Sequence, residues 1–400
     1  MRKRIIYIQY TNPGCYPPLE HSSRILADAG WDVLFLGTRA LGAADALRFR
    51  AHPFIEVKQL PFCPAGFRQK IHYFMFGLWV LKSVLTFRPR WAYASDVLSC
   101  PVALAISWVP GTRIIYHEHD SPSANAGSLM NRFNLWCRRA LVRRSKYCVL
   151  PNQQRAEHFQ AETGAGSKIM RVWNCPRKAE VTASRAPLSG HDVWLLFHGS
   201  IGPKLLPLDL LNVLARLPAS LKFRVIGYET LGNEGYLDAI RAKARELRIS
   251  DRLDLVEALP RFELLRHCRS CDIGLAVMPA DGQDINMRAM AGASNKAFDY
   301  LACGLALLVA DLPDWKAMFV EPGYGVACSP DDPNSIERAL RWLIAHPDEM
   351  RAMGERGRQR VEKEWNYEMQ FASVREIIEI AASGRTGESA GAYSRVTEIR

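Results

Sequence analysis

Short apolar runs alternate with longer amphipathic stretches along most of this 400-residue chain, and the pattern indicates strands that alternate with helices. Residues 5–9 predict a buried first strand, and a helix follows around residues 22–29, after the turn-rich loop TNPGCYPP. Residues 31–36 and 54–60 predict two further strands. Strands and helices in this order are typical of a doubly wound α/β fold with a parallel sheet.

The same pattern starts again at residue 193, where WLLFHGSIGPKLLPLDLLNVLARLP predicts a strand, a glycine-containing loop and a helix. Residues 177–192 are rich in Ser, Ala, Pro and Arg without periodicity, which indicates a linker. The chain is also too long for one ordinary core. We therefore predict two domains, residues 1–184 and 185–365, and a disordered polar tail at residues 383–400.

The segment Ser294-Asn295-Lys296 predicts the start of a helix that continues through AFDYLA and stops at Gly304. The first turn of a helix leaves backbone N–H groups unpaired, and together with the Lys296 ammonium these groups suit a phosphate. Asp299 lies one turn further along, where its carboxylate could accept two hydrogen bonds from the diol of a ribose. An ordinary helix start uses the same residue types, so both interpretations stay open at this point.

A second loop with phosphate-binding chemistry follows the strand that starts at residue 193. Gly199 and Gly202 allow a tight backbone and Lys204 lies at the entrance of the next helix, so the loop predicts a diphosphate cradle. Its spacing differs from that of a P-loop and from the dinucleotide-binding fingerprint G-x-G-x-x-G. Gly14, in the first loop between strand and helix, would allow close approach of a ligand, although an ordinary turn explains it as well.

Polar residues cluster directly after the strand predicted at residues 113–116, in the segment YHEHDSP. An α/β sheet places reacting side chains at the carboxyl ends of its strands, and histidine exchanges protons near neutral pH. We predict that His119 is the catalytic histidine, with His117 as the alternative. A structural role stays open for His117 or Glu118, as a helix cap or as the partner of a nearby arginine.

The chain carries a formal net charge of +11, and much of it lies in two stretches without acidic residues, 57–95 and 121–156. The apolar run HYFMFGLWVLKSVLTF in the first stretch is too short and too polar to span a bilayer. Both stretches predict helices that lie on an anionic membrane surface, although a solvated helix face is the commoner meaning of a basic run. We find no recognition-helix, RRM-like or zinc-finger pattern that would indicate nucleic acid. The basic residues of the second stretch are Arg132, Arg138, Arg139, Arg143, Arg144, Lys146 and Arg155.

Ten cysteines without regular spacing, and the absence of a signal peptide, indicate reduced thiols in the cytoplasm. Cys268 and Cys271 form a CxxC pair, but no second pair lies at zinc spacing, so we predict no metal site. Together with the basic stretches, these features predict a protein bound peripherally to the inner face of the membrane.

The segment SNKAFDYLACGLALLVAD resembles the C-terminal signature of the family 4 type of GT-B glycosyltransferases, the glycosyl transferases group 1. The glycine loop before Lys204 and the segment YHEHDSP are also similar to motifs of that family. The resemblance implies an α/β GT-B fold of two facing Rossmann-like domains, with a C-terminal crossover helix at residues 366–382. It covers most of residues 190–382, and the first half only by the order of its elements.

In that family the second domain binds a nucleotide diphosphate sugar and the first domain binds the acceptor. By resemblance, Asp299 binds the ribose hydroxyls, Lys204 contacts the diphosphate, and Leu259 and Pro260 frame the base. The resemblance further implies that His119 contacts the donor sugar or the acceptor, and that transfer retains the anomeric configuration without a metal ion. The residues predicted to bind the donor are Gly14, Gly199, Ser200, Gly202, Lys204, Gly227, Leu259, Pro260, Ser294, Asn295, Lys296 and Asp299, and those predicted to be catalytic are His119 and Lys204.

Two residues of the family pattern are absent from this chain. The first of two glutamates that lie eight positions apart falls on Ala291, and a second cation near the glycine loop is missing. Asp281 or Asp284 could supply the acid, and Arg261 or Arg288 could supply the cation.

We therefore predict an enzyme without a separate cofactor, a metal-independent glycosyltransferase. It would move a sugar from a nucleotide diphosphate sugar to a lipid-linked or cell-surface glycan precursor, as in polysaccharide biosynthesis. Two alternatives stay open. One is a sugar-nucleotide epimerase, which needs no acceptor. The other is a degenerate GT-B protein that binds a membrane and transfers nothing, which the missing carboxylate at Ala291 favours.

Overall fold

The structure is a computed structural model of the full chain, and it describes residues 3–122, 127–184, 192–230, 232–277, 279 and 284–383. Two parallel sheets, each with helices packed on both faces, form two α/β domains. Asp281 and the predicted disordered tail from residue 384 onward lie outside the described residues.

The first sheet contains seven strands and begins at the start of the described chain. Its strands are β1 (Lys3–Ile8), β2 (Trp31–Thr38), β3 (Ile55–Leu60), β4 (Trp91–Ser95), β5 (Arg113–His117), β6 (Tyr147–Leu150) and β7 (Ile169–Arg171). They run parallel in the order β3-β2-β1-β4-β5-β6-β7. Because β1 lies inside the sheet and is covered on both faces, its run IIYI is buried throughout.

The second sheet contains six strands. They are β8 (Val193–Ile201), β9 (Leu221–Glu229), β10 (Leu253–Glu257), β11 (Ile273–Ala276), β12 (Ala306–Ala310) and β13 (Gly325–Cys328). The strands run parallel in the order β10-β9-β8-β11-β12-β13. The predicted alternation of strands and helices is therefore confirmed in both halves of the chain.

Helices connect the parallel strands and cover both sheets. Those of the first domain are α1 (Pro17–Asp28), α2 (Phe67–Phe87), α3 (Cys100–Ile106), α4 (Leu129–Arg144) and α5 (Gln153–Thr163). Those of the second are α6 (Asp209–Arg216), α7 (Tyr236–Glu246), α8 (Arg261–Cys268), α9 (Ile285–Arg288), α10 (Asn295–Ala302), α11 (Pro313–Trp315), α12 (Pro333–Ala345) and α13 (Pro347–Lys363). The last two are α14 (Tyr367–Gln370) and α15 (Ala372–Ser383).

After α13 the chain returns to the first domain. Tyr367 and Phe371 are buried in the same apolar cluster as Ile5 and Tyr7 of β1, and α15 extends that cluster with its own buried residues. The backbone N–H of Tyr367 also donates to the carbonyl of Pro176, at 2.8 Å. The crossover helix predicted from the resemblance is confirmed, and it is divided into the short α14 and the longer α15.

The basic stretches form surface helices, but two of their arginines were predicted wrongly. α2 buries Phe76, Val80 and Val84 and leaves most of its other apolar side chains exposed. Arg138 and Arg155, assigned above to a membrane-facing surface, are each only 2% exposed because they bond carboxylates or backbone carbonyls inside the protein. Among the described helices, none combines the length and apolar character that a membrane span requires.

We expect Phe371→Ala to lower the free energy of unfolding by about 3–5 kcal/mol, because it leaves a cavity at a fully buried position between the crossover segment and β1. Urea unfolding, followed by tryptophan fluorescence, measures this change. Met369→Ala is the control, since Met369 lies two residues earlier and is 59% exposed. Equal midpoints for both variants would contradict a structural role for the crossover segment.

Candidate active site

A cavity of about 370 Å³ lies between the two domains. The first domain contributes the loop after β1 and the residues His119 and Asp120, which follow β5. The second domain contributes the ends of β8 and β9, the loop after β10 and the start of α10. The carboxyl ends of parallel strands are the usual place for ligands in open α/β sheets, and the volume fits a small molecule.

The glycine loop and the start of α10 meet inside this cavity. A Cβ atom on Gly199 would lie 3.4 Å from Nζ of Lys296, and the φ of Gly199 is +113°, which other residues rarely adopt. Burial lowers the pKa of Lys296 to about 8, against the opposing effect of the Asp299 carboxylate. The backbone N–H of Ser294, predicted to face a phosphate, instead donates to the carbonyl of Met290 at 2.9 Å. A half-buried ammonium at a helix N-terminus nevertheless favours an anionic ligand.

Asp299 lies on the buried side of α10 and is held by Arg261. Arg261 donates to both Asp299 oxygens, at 2.7 and 3.1 Å, and to both Glu180 oxygens, at 2.7 and 3.0 Å. His198 Nε2 lies 3.5 Å from Asp299 Oδ2, and burial lowers the pKa of His198 to about 4, so this ring is neutral at pH 7. Arg261 lines the cavity, but its charge is balanced by two carboxylates and it is not the free second cation that we predicted.

His119 lines the cavity, whereas His117 lies behind it. The two rings are 3.8 Å apart between centroids, and Nδ1 of His117 is 2.7 Å from the hydroxyl of Tyr93. Among the described residues, neither ring nitrogen of His119 has a hydrogen-bond partner, although both are buried. Burial lowers the pKa of His119 to about 4, so the ring is neutral at pH 7. Glu118 has the structural role that was left open above, as the partner of a nearby arginine. It accepts hydrogen bonds from Arg138 at 2.5 and 2.8 Å.

Asp96, at the end of β4, positions the backbone of His119. One Asp96 oxygen accepts the N–H of His119 at 2.8 Å, and the other accepts a bond from Gln9 Nε2 at 3.1 Å. The φ of Asp96 is +61°, and strained backbone of this kind clusters at functional sites. Burial, with a smaller effect of the Asp120 charge, raises the pKa of Asp96 to about 7.

Arg155 of α5 joins the two domains beside the cavity. In the second domain it donates to the carbonyl oxygens of Ala289, at 3.1 Å, and Asn286, at 2.8 Å. In the first domain it donates to the carbonyl of His119. One buried guanidinium therefore holds the loop of the predicted catalytic histidine against the segment that precedes α10.

The segment around Ala291, where the family pattern has its first glutamate, is bound by the first domain through its backbone. The carbonyl of Ala291 accepts a hydrogen bond from Asn152 Nδ2 at 2.8 Å. The carbonyls of Gly292 and Ala293 accept bonds from the backbone N–H and the side-chain amide of Asn174, at 2.9 and 2.6 Å. This segment therefore belongs to the contact between the domains.

Most of the predicted donor-binding residues line the central cavity, and three do not. Gly202, Lys204 and Pro260 are absent from its described lining, and Lys204 borders a separate cavity beside Pro207. For Gly202 and Lys204 the reason is that β8 continues to Ile201, so the chain turns only after the predicted loop has begun. The predicted residues that line the central cavity are Gly14, His119, Gly199, Ser200, Gly227, Leu259, Ser294, Asn295, Lys296 and Asp299.

Protein backbone makes the close approaches at Gly14 and Gly227. A Cβ atom on Gly14 would lie 2.3 Å from the carbonyl oxygen of Leu47, and one on Gly227 would lie 1.9 Å from that of Gly199. Gly227 and Gly199 are paired across β9 and β8. The contact between the Gly14 turn and the Leu47 backbone is enough to explain why a glycine occurs at this position. The close approach of a ligand that we considered above is not required to explain it.

Two of the substitutes suggested for the missing family residues, Asp284 and Arg288, lie away from the cavity. Asp284 is an exposed N-cap of α9 and accepts the N–H of Asn286 at 2.9 Å. Arg288 is exposed and borders another surface cavity. Asp281 lies outside the described residues. Asp284 and Arg288 therefore do not replace the missing acid and the missing cation in this arrangement.

Sequence reasoning missed His198, Asp96 and the inward position of Arg155. His198 ends a buried apolar run directly before Gly199, and Asp96 directly follows the buried strand β4. His119 was predicted because polar residues at the carboxyl ends of strands often react with ligands, and the same argument applies to His198 and Asp96. Arg155 lies among six other basic residues of one acid-free stretch, and residue type does not indicate which of them points inward.

Residues 208–376 match the family described as glycosyl transferase-like. No curated protein matches the sequence.

Among solved structures, sucrose-phosphate synthase from Thermosynechococcus elongatus is 14% identical with a TM-score of 0.70, over 96% of this chain and 100% of that one. HepE from Anabaena, in complex with UDP and glucose, is 15% identical with a TM-score of 0.70, over 94% of this chain and 99% of that one. WaaG, a glycosyltransferase involved in lipopolysaccharide biosynthesis, is 13% identical with a TM-score of 0.66, over 95% and 100%.

Replacement of Asp96 by Asn is expected to stabilise the protein increasingly as the pH rises from about 4 to about 7. The folded state raises the pKa of Asp96 from 3.8 to about 7, so it binds this proton more tightly than the unfolded chain does, and ionisation at higher pH costs stability. Three pKa units correspond to at most about 4 kcal/mol. The measurement is the difference in Tm between Asp96→Asn and wild type across this pH range.

Asp284→Asn serves as the control for an exposed, helix-capping carboxylate. In Asp96→Asn, the oxygen of the introduced amide can still accept the bond from the His119 N–H, and Gln9 can turn its unpaired Oε1 toward the new NH₂ group. A difference in Tm for Asp96→Asn that does not change with pH would contradict a protonated Asp96 in the folded protein.

Proposed function

We propose that this chain is a glycosyltransferase that moves a sugar from a nucleotide diphosphate sugar to a membrane-linked acceptor, since it has the GT-B fold and residues 208–376 match the glycosyl transferase-like family. The observation that carries this proposal is the meeting of the Gly199 loop with Lys296 and the start of α10 between the two domains. HepE was crystallised with UDP and glucose, so UDP sugars are the first donors to test.

Lys296 is the cation that lies where a diphosphate would bind on this proposal. When the bond between the sugar and the β-phosphate breaks, negative charge builds up on the leaving diphosphate. Because Lys296 is half-buried, water screens its ammonium less than that of a surface lysine, and the first-turn N–H groups of α10 add to the positive potential. Together these groups would stabilise the leaving group without a metal ion.

Asp299 and Leu259 fit the nucleoside part of the donor. Arg261 occupies one acceptor position on each Asp299 oxygen, and the remaining lone pairs can accept bonds from two ribose hydroxyls. Leu259 lines the same cavity in the loop after β10, at the position that frames the base in the resembling family. The bond from Arg261 fixes the orientation of the carboxylate before the donor arrives.

His119 fits a hydroxyl group of the donor sugar or the acceptor. A neutral imidazole donates from one nitrogen and accepts at the other, and both nitrogens of His119 are buried without a partner among the described residues. A sugar hydroxyl, which both donates and accepts, is the matching ligand. We further propose retention of the anomeric configuration, as the resemblance implies.

The surface formed by α2 and α4 supports a membrane-linked acceptor, such as a lipid-linked or cell-surface glycan precursor. Both helices pack on the same face of the first sheet, and Tyr73 of α2 lies 3.4 Å from Asn134 of α4. Apolar side chains exposed on these helices include Phe67, Ile71, Phe74, Met75, Leu78, Leu85, Leu129, Phe133 and Trp136. Arg132, Arg139 and Arg143 are exposed beside them, so the surface combines apolar and cationic groups as membrane-bound helices do. Binding there would place the protein at the inner face of the membrane.

We expect Lys296→Ala to lower kcat/KM by roughly 10²–10³-fold, because it removes a preorganised charge from the leaving diphosphate. The assay follows nucleotide release from a panel of UDP, GDP and ADP sugars, with membrane lipid extract as the acceptor. The resemblance predicts a similar loss for Lys204→Ala, whereas the position of Lys204 in a separate cavity predicts a smaller one. The two variants therefore decide which lysine contacts the diphosphate.

The same donor panel separates the alternative functions. A changed sugar nucleotide formed without any acceptor would indicate an epimerase, and calorimetry that gives no binding heat with any donor would indicate a binding protein. NMR of the product reports whether the anomeric configuration is retained. Normal turnover in both lysine variants would contradict the proposed role of this cavity.

The variant Arg132→Ala/Arg139→Ala is expected to bind anionic vesicles of phosphatidylglycerol about 30-fold more weakly than wild type. Each basic residue near an anionic surface contributes about 1 kcal/mol, and two together correspond to this factor. Vesicle cosedimentation at low salt measures the affinity. Arg245→Ala/Arg338→Ala, which removes two exposed arginines of the second domain, is the matched control. Equal binding to phosphatidylcholine vesicles would contradict an electrostatic membrane surface.

A further inference from the structure

A second cavity, of about 470 Å³, lies next to the central one and shares Arg261 with it. Its walls come from α1 and the segment around residue 50 in the first domain, from residues 177–183, and from α8 in the second domain. We call it the arginine cavity because seven arginines line it. They are Arg24, Arg48, Arg50, Arg177, Arg261, Arg266 and Arg269.

The positive charge of the arginine cavity exceeds its negative charge by a wide margin. The carboxylates in its lining are Glu20 and Glu180, so seven positive and two negative groups leave a formal charge of plus five, with His21 counted as neutral. Glu180 is already bonded by Arg261. Glu20 accepts the backbone N–H of Arg50, at 2.9 Å, and lies 3.7 Å from the guanidinium of Arg24.

Two of the seven arginines form ion pairs with carboxylates that lie outside the cavity. Arg261 also bonds Asp299, and Arg177 pairs with Asp28 and Glu368, at 2.9 and 3.0 Å. Within the part of the chain that the structure describes, four other guanidinium groups take part in no described hydrogen bond or ion pair. They belong to Arg48, Arg50, Arg266 and Arg269.

These four arginines come from both sides of the cleft. Arg48 and Arg50 belong to the first domain, whereas Arg266 and Arg269 belong to α8 and the residue that follows it. A single exposed arginine is ordinarily solvated, but like charges that line one concave surface repel each other and concentrate the positive potential inside it. A multivalent anion removes this repulsion and contacts both domains at once.

We propose that the arginine cavity binds a small ligand that carries several phosphate groups. Guanidinium groups match phosphate oxygens with paired hydrogen bonds, and the volume fits a small molecule rather than a polymer. Phe262, which is 52% exposed in the cavity wall, offers a surface on which the base of a nucleotide can stack. The site is distinct from the proposed donor site, because Lys296 lines only the central cavity of the two.

Calorimetry on the full chain with inorganic tripolyphosphate, and separately with ATP, tests this proposal. We expect Arg48→Ala/Arg266→Ala to weaken tripolyphosphate binding at least about tenfold, since it removes two guanidinium groups that form charge-assisted hydrogen bonds with phosphate. Arg245→Ala/Arg338→Ala removes the same charge elsewhere and should bind within about twofold of wild type. Lys296→Ala removes binding of tripolyphosphate in the central cavity only, so the binding that remains in this variant should be lost when Arg48 and Arg266 are also replaced.

The outcomes separate this site from the donor site and from unspecific charge. Loss of tripolyphosphate binding in Lys296→Ala, with unchanged binding in the Arg48 and Arg266 variant, would overturn the proposal by assigning all binding to the central cavity. Equal losses in the two double-arginine variants would overturn it as well, by showing an effect of net charge alone. Tighter binding of ATP that disappears in Phe262→Ala would support the site and identify its ligand as a nucleotide.

Discussion

The guanidinium of Arg155 is the contact on which the geometry of the candidate active site depends. It bonds the carbonyl of His119 in the first domain and the carbonyls of Asn286 and Ala289 in the second. A buried guanidinium is costly unless its N–H groups stay bonded, so a change in the separation of these segments would leave buried polar groups unpaired. Together with the Asn286 side chain, which bonds the backbone of Ser121, this side chain fixes the distance between the predicted catalytic histidine and the segment that leads into α10.

The contact between the domains also explains how the segment around Ala291 is used in this chain, where the family pattern has a glutamate. The backbone carbonyls of residues 291–293 are bonded by Asn152 and Asn174 of the first domain, so the segment serves to join the domains. A side-chain carboxylate that could bind sugar hydroxyls from this position is absent. On the proposed function, recognition of the sugar then falls to groups of the first domain, of which His119 and Asp120 line the cavity.

The fold was predictable from the sequence because buried parallel strands produce apolar runs such as IIYI and ALLVA, which alternate with amphipathic helices. The start of α10 and the strand that leads into the glycine loop were predictable for the same local reasons. The position of Lys204 was not, because strand pairing continues through Gly199, Ser200 and Ile201, so the chain turns later than predicted before the lysine. The pairing of Arg261 with Glu180 and Asp299 was also hidden, since these residues are 81 and 38 positions apart and meet only in the folded protein.

The arginines of this chain show how one residue type acquires three physical roles. Arg155 is buried and donates its N–H groups to carbonyls, so its charge organises the protein itself. Arg139 is exposed beside apolar side chains of α4, and on the proposed function its charge faces an anionic membrane. Arg266 faces other arginines across a concave space, where the potential of several groups adds up. Arginines of all three kinds contribute to the net charge of +11. Only their burial and the shape of the surface around them distinguish the three roles.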